Sequence, residues 1–67
     1  MIKYKIDILP ALKEKGYSTF RLRKERLLSE STIQQLRKGE YISLSGIDSI
    51  CKMLQCQPAD LIEYTES

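Results

Sequence analysis

Apolar residues follow a helical spacing in the last third of the chain. The stripe consists of Leu44, Ile47, Ile50, Cys51 and Leu54. Intervals of three, three, one and three residues place these side chains on one face of an α-helix. Ser43 stands just before the stripe, where its hydroxyl can accept a hydrogen bond from a free helix amide. The pattern therefore predicts an amphipathic helix that begins after Ser43 and reaches Leu54.

The first sixteen residues contain two different patterns. Residues 2–6 alternate apolar and basic side chains, which is typical of a short, half-buried strand. Asp7 is a candidate N-cap for the helix that follows, and Gly16 is a residue type that commonly ends a helix. Pro10 falls in the first helical turn, where its missing amide costs no hydrogen bond. We expect a short strand followed by the first helix.

Two serines mark a pair of closely spaced helices in the middle of the chain. Ser18 is the N-cap of a helix that reaches about residue 25, with Phe20 and Leu22 as its apolar residues. Ser29 is the N-cap of the next helix, Glu30–Lys38. The few residues between the two helices allow only a tight helical corner.

A fifth helix is expected near the C-terminus. Pro58 suits the first position of a helix because its fixed φ is helical. Leu61 and Ile62 would dock this helix on the core. Residues 1–67 are thus expected to form one all-α domain of five helices, with a short strand before them.

Composition agrees with a helical fold and excludes several classes of function. Eight Ile and nine Leu with no Val favour helices over strands. Histidine is absent, and Cys51 and Cys56 are too few for a structural zinc site. The sequence contains no glycine-rich phosphate loop and no nucleophile–base pair. We expect a protein that is not an enzyme and that binds no metal, cofactor or small-molecule ligand.

Targeting signals are also missing from the sequence. No apolar run approaches the ~18 residues of a transmembrane helix, and no signal peptide is visible. Two cysteines are fewer than a small secreted domain usually carries. We therefore expect a cytoplasmic protein with reduced thiols and no contact with a membrane.

Charge is distributed unevenly along the chain, although the net charge is only +2. Residues 1–38 contain ten Lys and Arg residues against four Asp and Glu residues, a net charge of +6. Residues 39–67 contain one Lys against five acidic residues, a net charge of −4. A basic half of this kind is typical of a nucleic-acid contact surface, although a solvated basic face would give the same count.

The helix Glu30–Lys38 carries the candidate chemistry. At about 100° per residue, Ile33 and Leu36 share one face of this helix. The opposite face holds Ser31, Gln34, Gln35 and Lys38, with Glu30 at its flank. Glutamine can pair with the major-groove edge of adenine, serine can bond to donors or acceptors, and glutamate can accept from cytosine. The face suits DNA recognition, but the same residue types are common on solvated helices.

A longer pattern of residues extends this interpretation. It includes Tyr17-Ser18, Leu22, Leu28-Ser29, Thr32-Ile33, Leu36, Gly39, Ser43-Leu44, Ile47, Ile50-Cys51 and Leu54, and it ends in the run CKMLQCQPADLIEY of residues 51–64. With these spacings, residues 12–64 resemble the small single-domain subgroup of the lambda-repressor-like helix-turn-helix family, the XRE or Cro/repressor type. The resemblance implies a helix-turn-helix unit at about residues 18–38, with Glu30–Lys38 as the recognition helix in the major groove.

Four positions depart from the family pattern. Arg23 stands where the family has a small helix-packing Ala, Arg26 where it has Leu, and Leu27 where it has the turn Gly. Thr19 stands where the family has Gln. The threonine side chain is shorter, but its hydroxyl can still donate a hydrogen bond to a phosphate. We expect an altered turn, in which Leu27 takes the place of Arg26 in the core.

The resemblance also implies roles for individual residues. Base contacts would come from Glu30, Ser31, Gln34 and Gln35. Phosphate contacts would come from Thr19, Ser29, Lys38 and Tyr41. Positive charge, rather than the motif, adds Arg21, Arg26 and Arg23, of which Arg23 occupies a position that the family buries. The expected core residues are Ile33, Leu36, Leu44, Ile47, Ile50, Leu54 and Leu61.

The function implied is that of a transcriptional regulator that binds a double-stranded DNA operator in a sequence-specific manner. One recognition helix contacts only a few base pairs, so we expect a homodimer on a palindromic operator. The dimer contact would come from the last helix, with Leu61, Ile62 and Tyr64, or from the strand at residues 2–6. We favour the last helix, because the resemblance implies that it lies at the two-fold axis. Two alternatives stay open: a protein-interaction module such as an antitoxin or adaptor, and a non-specific or RNA-binding protein.

Overall fold

The computed structural model describes residues 1–66. Its four α-helices are α1 (Ile8–Glu14), α2 (Thr19–Lys24), α3 (Glu30–Lys38) and α4 (Leu44–Leu54). A 3-10 turn, Pro58–Asp60, follows α4. Two short strands, β1 (Ile2–Tyr4) and β2 (Ile62–Tyr64), pair in antiparallel fashion with Lys3 opposite Glu63. None of the helices in this described part is long and apolar enough to cross a membrane.

Serine caps begin three of the four helices, as the sequence predicts. The hydroxyls of Ser18, Ser29 and Ser43 each accept a hydrogen bond of 3.2 Å from the amide three residues further on. Asp7 is the N-cap of α1, but its side chain makes no capping hydrogen bond. Gly39 ends α3 with a φ of 72°, which glycine adopts without the penalty of a Cβ. These local signals explain why the observed helix bounds follow the sequence closely.

The fifth helix is the main error in the predicted fold. Pro58 does start a helical turn, yet the turn ends at Asp60 and the chain continues as β2. The Asp60 carboxylate accepts a hydrogen bond of 2.9 Å from the Gln57 amide, which closes the turn. The Lys5 amide donates to the Leu61 carbonyl at 2.8 Å and extends the pairing of β1 with β2. Because the partner strand comes from the other end of the chain, no local pattern around Pro58 indicates it.

One core joins the helices to the segment after α4. Among residues 1–66, the large side chains that are fully buried are Leu12, Leu22, Ile33, Ile50 and Leu61. Of the expected core residues, Ile33, Ile47, Ile50 and Leu61 are buried, and Leu36 and Leu54 pack half-buried against the core. Cys51 and Cys56 are free thiols, half-buried beside it.

Two apolar residues that the sequence assigns to buried faces are exposed instead. Phe20 is 70% exposed and Leu44 is 85% exposed. Phe20 stands two residues before Leu22, about 200° away around α2, so only one of the two can face the core. Leu44 is the first residue of α4 and lies at the edge of its apolar stripe. The spacing of apolar residues therefore overstates the width of both buried faces.

Candidate nucleic-acid interface

The candidate site is built on α2, α3 and the turn between them. Leu22 of α2 and Ile33 of α3 are fully buried in the shared core, which fixes both helices to the rest of the domain. The opposite surfaces of the two helices are therefore held outward. Most of the polar and basic side chains nominated from the sequence belong to these two helices.

The turn between α2 and α3 is altered in the way that the sequence predicts. Arg26 occupies the left-handed region with a φ of 55°, one position before the place where the family has glycine. The Leu27 amide donates to the Leu22 carbonyl at 2.9 Å, which closes the end of α2. Arg26 is exposed, whereas Leu27 packs half-buried against the core. Leu27 thus replaces Arg26 as the core residue.

Replacing Arg26 with glycine should raise the free energy of unfolding by about 1 kcal/mol, because a left-handed residue with a Cβ carries a steric cost that glycine lacks. Gln55 provides a matched control, since it ends α4 with a φ of 56°. Gln55→Gly should give a smaller rise, because it loses a side-chain hydrogen bond of 3.1 Å to the Lys52 carbonyl. Urea denaturation followed by circular dichroism measures both changes. A lower stability for Arg26→Gly would contradict a sterically costly turn.

The outer face of α3 presents the four residues nominated for base contacts. Glu30 and Ser31 are exposed, and Gln34 and Gln35 are half-buried. Ile33, which points into the core, is fully buried. The structure thus brings the four nominated side chains together within the first two turns of one helix.

Glu30 is held in a hydrogen-bonded bridge between α2 and α3. The Arg23 guanidinium donates to both carboxylate oxygens, at 2.5 Å from Nε and 3.2 Å from Nη2. The Gln34 amide donates to Oε1 of Glu30 at 2.9 Å. The hydrogen bonds from Arg23 and then from Gln34 lower the pKa of Glu30 to about 2. Glu30 is therefore an ionised carboxylate at neutral pH, and its charge is offset by Arg23.

Ion pairs reduce the number of free cations on α2. Arg23 is bound to Glu30, and Arg21 donates to Glu25 at 2.7 Å. Within residues 1–66, the cations of this region that form no ion pair are Lys24, Arg26, Arg37 and Lys38. The site nominated from the sequence omits Lys24 and Arg37, although their positive charge on α2 and α3 was a signal for including them.

The remaining phosphate candidates occupy helix starts and the loop after α3. Thr19 is the first residue of α2 and is half-buried. The Ser29 hydroxyl serves as the α3 cap and lies 2.9 Å from the Thr32 hydroxyl. Tyr41 lies between α3 and α4, where its hydroxyl donates to the Ile2 carbonyl of β1 at 2.9 Å. The Tyr41 hydroxyl is thus oriented by β1 rather than by α2 or α3.

Comparison with known proteins agrees with this geometry. The family described as the Cro/C1-type HTH DNA-binding domain matches residues 8–67. YozG of Bacillus subtilis (strain 168), an uncharacterized HTH-type transcriptional regulator, is 32% identical over 59 residues, which is 88% of this chain and 70% of that protein. No solved structure gives a significant match. The family match over residues 8–67, together with the relative that is 32% identical, shows that the chain belongs to the Cro/C1-type HTH family of DNA-binding domains.

Proposed function

We propose that this protein is a transcriptional regulator that recognises specific sequences in double-stranded DNA. The observation that carries the proposal is the polar outer face of α3, held outward by the burial of Ile33 and begun by the Ser29 cap. The DNA-binding family of the chain and the description of its Bacillus relative support it. In this proposal α3 enters the major groove, which is wide enough for an α-helix.

The side chains of the site divide into two groups in this proposal. Base contacts come from the outer face of α3, with Ser31, Gln34 and Gln35 as readers and Glu30 beside them. Phosphate contacts come from Thr19, Arg21, Arg26, Ser29, Lys38 and Tyr41. Arg26 and Lys38 are exposed and form no ion pair within residues 1–66, so their charges are the most available to phosphate.

A protein-interaction module on the same scaffold would need an exposed apolar surface on α3. The large apolar residues that are exposed within residues 1–66 lie on other elements: Met1, Ile2, Ile6, Phe20, Tyr41, Leu44 and Tyr64. The outer face of α3 carries amides, a hydroxyl and charges instead. Duplex DNA is therefore the partner that this face fits better.

Selection from a pool of randomised duplex DNA tests the proposed function. The wild-type chain should enrich one family of sequences. A variant with Gln34→Ala and Gln35→Ala should lose this enrichment while it still binds duplex, because its phosphate contacts remain. The same two changes at Gln55 and Gln57, which lie outside α3, should leave the enriched sequences unchanged. If the wild type binds duplex but enriches nothing, the protein is a non-specific binder and the proposal fails.

We further propose that the protein binds its operator as a homodimer, because one recognition helix reads too few base pairs to select a site in a genome. The contact favoured from the sequence needs correction, since residues 62–64 form a strand and Leu61 is fully buried. Exposed apolar residues with no proposed DNA contact are available elsewhere, around a groove of about 440 Å³ beside β1: Met1, Ile2 and Leu44.

Two-fold symmetry makes the dimer testable. The selected operator should be palindromic, with half-sites about 10–10.5 base pairs apart, so that both α3 helices enter successive major grooves on one side of the duplex. Sedimentation of the protein with and without this operator measures the stoichiometry. One protomer per site in both states would refute the dimer and leave the DNA-binding proposal intact.

A further inference from the structure

The bridge from Arg23 through Glu30 to Gln34 indicates how this chain orients one of its base-reading side chains. Glu30 is the first residue of α3, and Gln34 lies one helical turn further on. The Arg23 fork and the Gln34 amide together place donors on both oxygens of Glu30. These three hydrogen bonds use three of the roughly four acceptor sites of a carboxylate, so Glu30 has only one site left, on Oε2, for a contact to cytosine.

The same bridge restricts the amide of Gln34. A glutamine amide that is free in solution can turn over, so that either its oxygen or its nitrogen faces a base. Here Nε2 donates to Glu30 at 2.9 Å, and the ionised carboxylate can only accept. If the Gln34 amide turned over, its carbonyl oxygen would face the carboxylate oxygen of Glu30, and the two acceptors would repel each other. One N–H and the carbonyl oxygen of Gln34 remain, and they match the N7 acceptor and N6 donor of adenine.

We propose that Arg23 and Glu30 are positioning residues that fix the Gln34 amide so that Gln34 reads adenine. This inference rests on the proposed function, since it requires α3 to face the bases. Arg23 holds Glu30 with a planar fork and offsets its negative charge beside the DNA phosphates. Glu30 acts through Gln34 and makes no base contact of its own.

Side-chain amide signals of the free protein test the bridge without DNA. In NMR spectra, the Nε2 protons of Gln34 should exchange with water more slowly than those of Gln35. Glu30→Ala should remove this difference and leave the Gln35 signals unchanged. Glu30→Gln keeps an acceptor oxygen but loses the ion pair, so it should give intermediate values. Gln34 signals that do not respond to Glu30→Ala would overturn the proposal.

Binding to four duplexes that differ at one base pair tests the specificity. The base pair to vary is found with Gln34→Ala, as the operator position at which this variant loses its sequence preference. The wild type should prefer adenine at that position. The wild-type preference should be about tenfold, and Glu30→Ala should reduce it to about twofold. Glu30→Ala should also bind all four duplexes more tightly, because it removes a negative charge and releases Arg23 toward phosphate. A purely structural role would not lower specificity while raising affinity.

Substitutions of Arg23 separate its charge from its shape. Arg23→Lys retains the charge without the fork, so it should keep the wild-type affinity and lose most of the adenine preference. Arg23→Ala leaves the negative charge of Glu30 without its ion-pair partner. This variant should bind every duplex more weakly, because the free carboxylate repels the DNA phosphates. If the wild type selects a sequence but Glu30→Ala keeps the full preference, or if the Gln34 position prefers another base, this inference fails and the proposed function stands. If the wild type selects no sequence, the proposed function fails, and adenine reading by Gln34 fails with it.

Discussion

Raising the salt concentration from about 50 mM to about 200 mM should weaken duplex binding by about 250- to 1000-fold. Residues 1–38 carry a net charge of +6. If about four to six phosphates are neutralised per protomer, log K should fall against log salt with a slope of about −4 to −5. The cations on α2, α3 and the turn that form no ion pair within residues 1–66 would neutralise most of these phosphates: Lys24, Arg26, Arg37 and Lys38.

Fluorescence anisotropy of a labelled duplex, titrated at several KCl concentrations, measures the slope. Lys13 supplies a matched control, because it is an exposed lysine on α1, outside the helix pair that carries the proposed site. Lys13→Ala should leave both affinity and slope close to those of the wild type. Binding that does not change with salt would count against a phosphate-contacting surface altogether.

Local signals account for the parts of this fold that the sequence predicts well. The three serine caps, Ser18, Ser29 and Ser43, each act through an amide only three residues away, so their neighbours in the sequence contain the whole interaction. The apolar face of α3 is predictable for the same reason. The buried Ile33 and the outward glutamines differ by fixed angles around one helix.

Contacts between distant segments account for what the sequence does not show. β2 forms because β1 supplies hydrogen bonds from the opposite end of the chain, and residues 62–64 alone have too little pattern to indicate it. The site also contains a contact of this kind. The Arg23–Glu30 pair joins two helices across a turn. The only sign of this pair in the sequence was an arginine at a position where the family has a small residue.

Gln35 provides the sharpest test of which side chains read bases. Its side chain makes no hydrogen bond to residues 1–66, so its full set of donors and acceptors is free for DNA, unlike that of Gln34. Gln35→Ala should weaken binding to the selected operator by about 1–3 kcal/mol and relax the preference at one base pair. Operators with single base changes, measured by anisotropy at fixed salt, report both effects.

Lys38 is the comparison that separates base reading from general attraction to DNA. It is exposed near the end of α3, and within residues 1–66 it forms no ion pair, so its charge is available to phosphate. Lys38→Ala should weaken binding to all sequences alike and make the salt slope shallower by about one. Gln35→Ala carries no change in charge and should leave the slope unaltered. If both variants weaken every sequence equally, Gln35 does not read a base, and the specificity of α3 must come from Ser31 and Gln34.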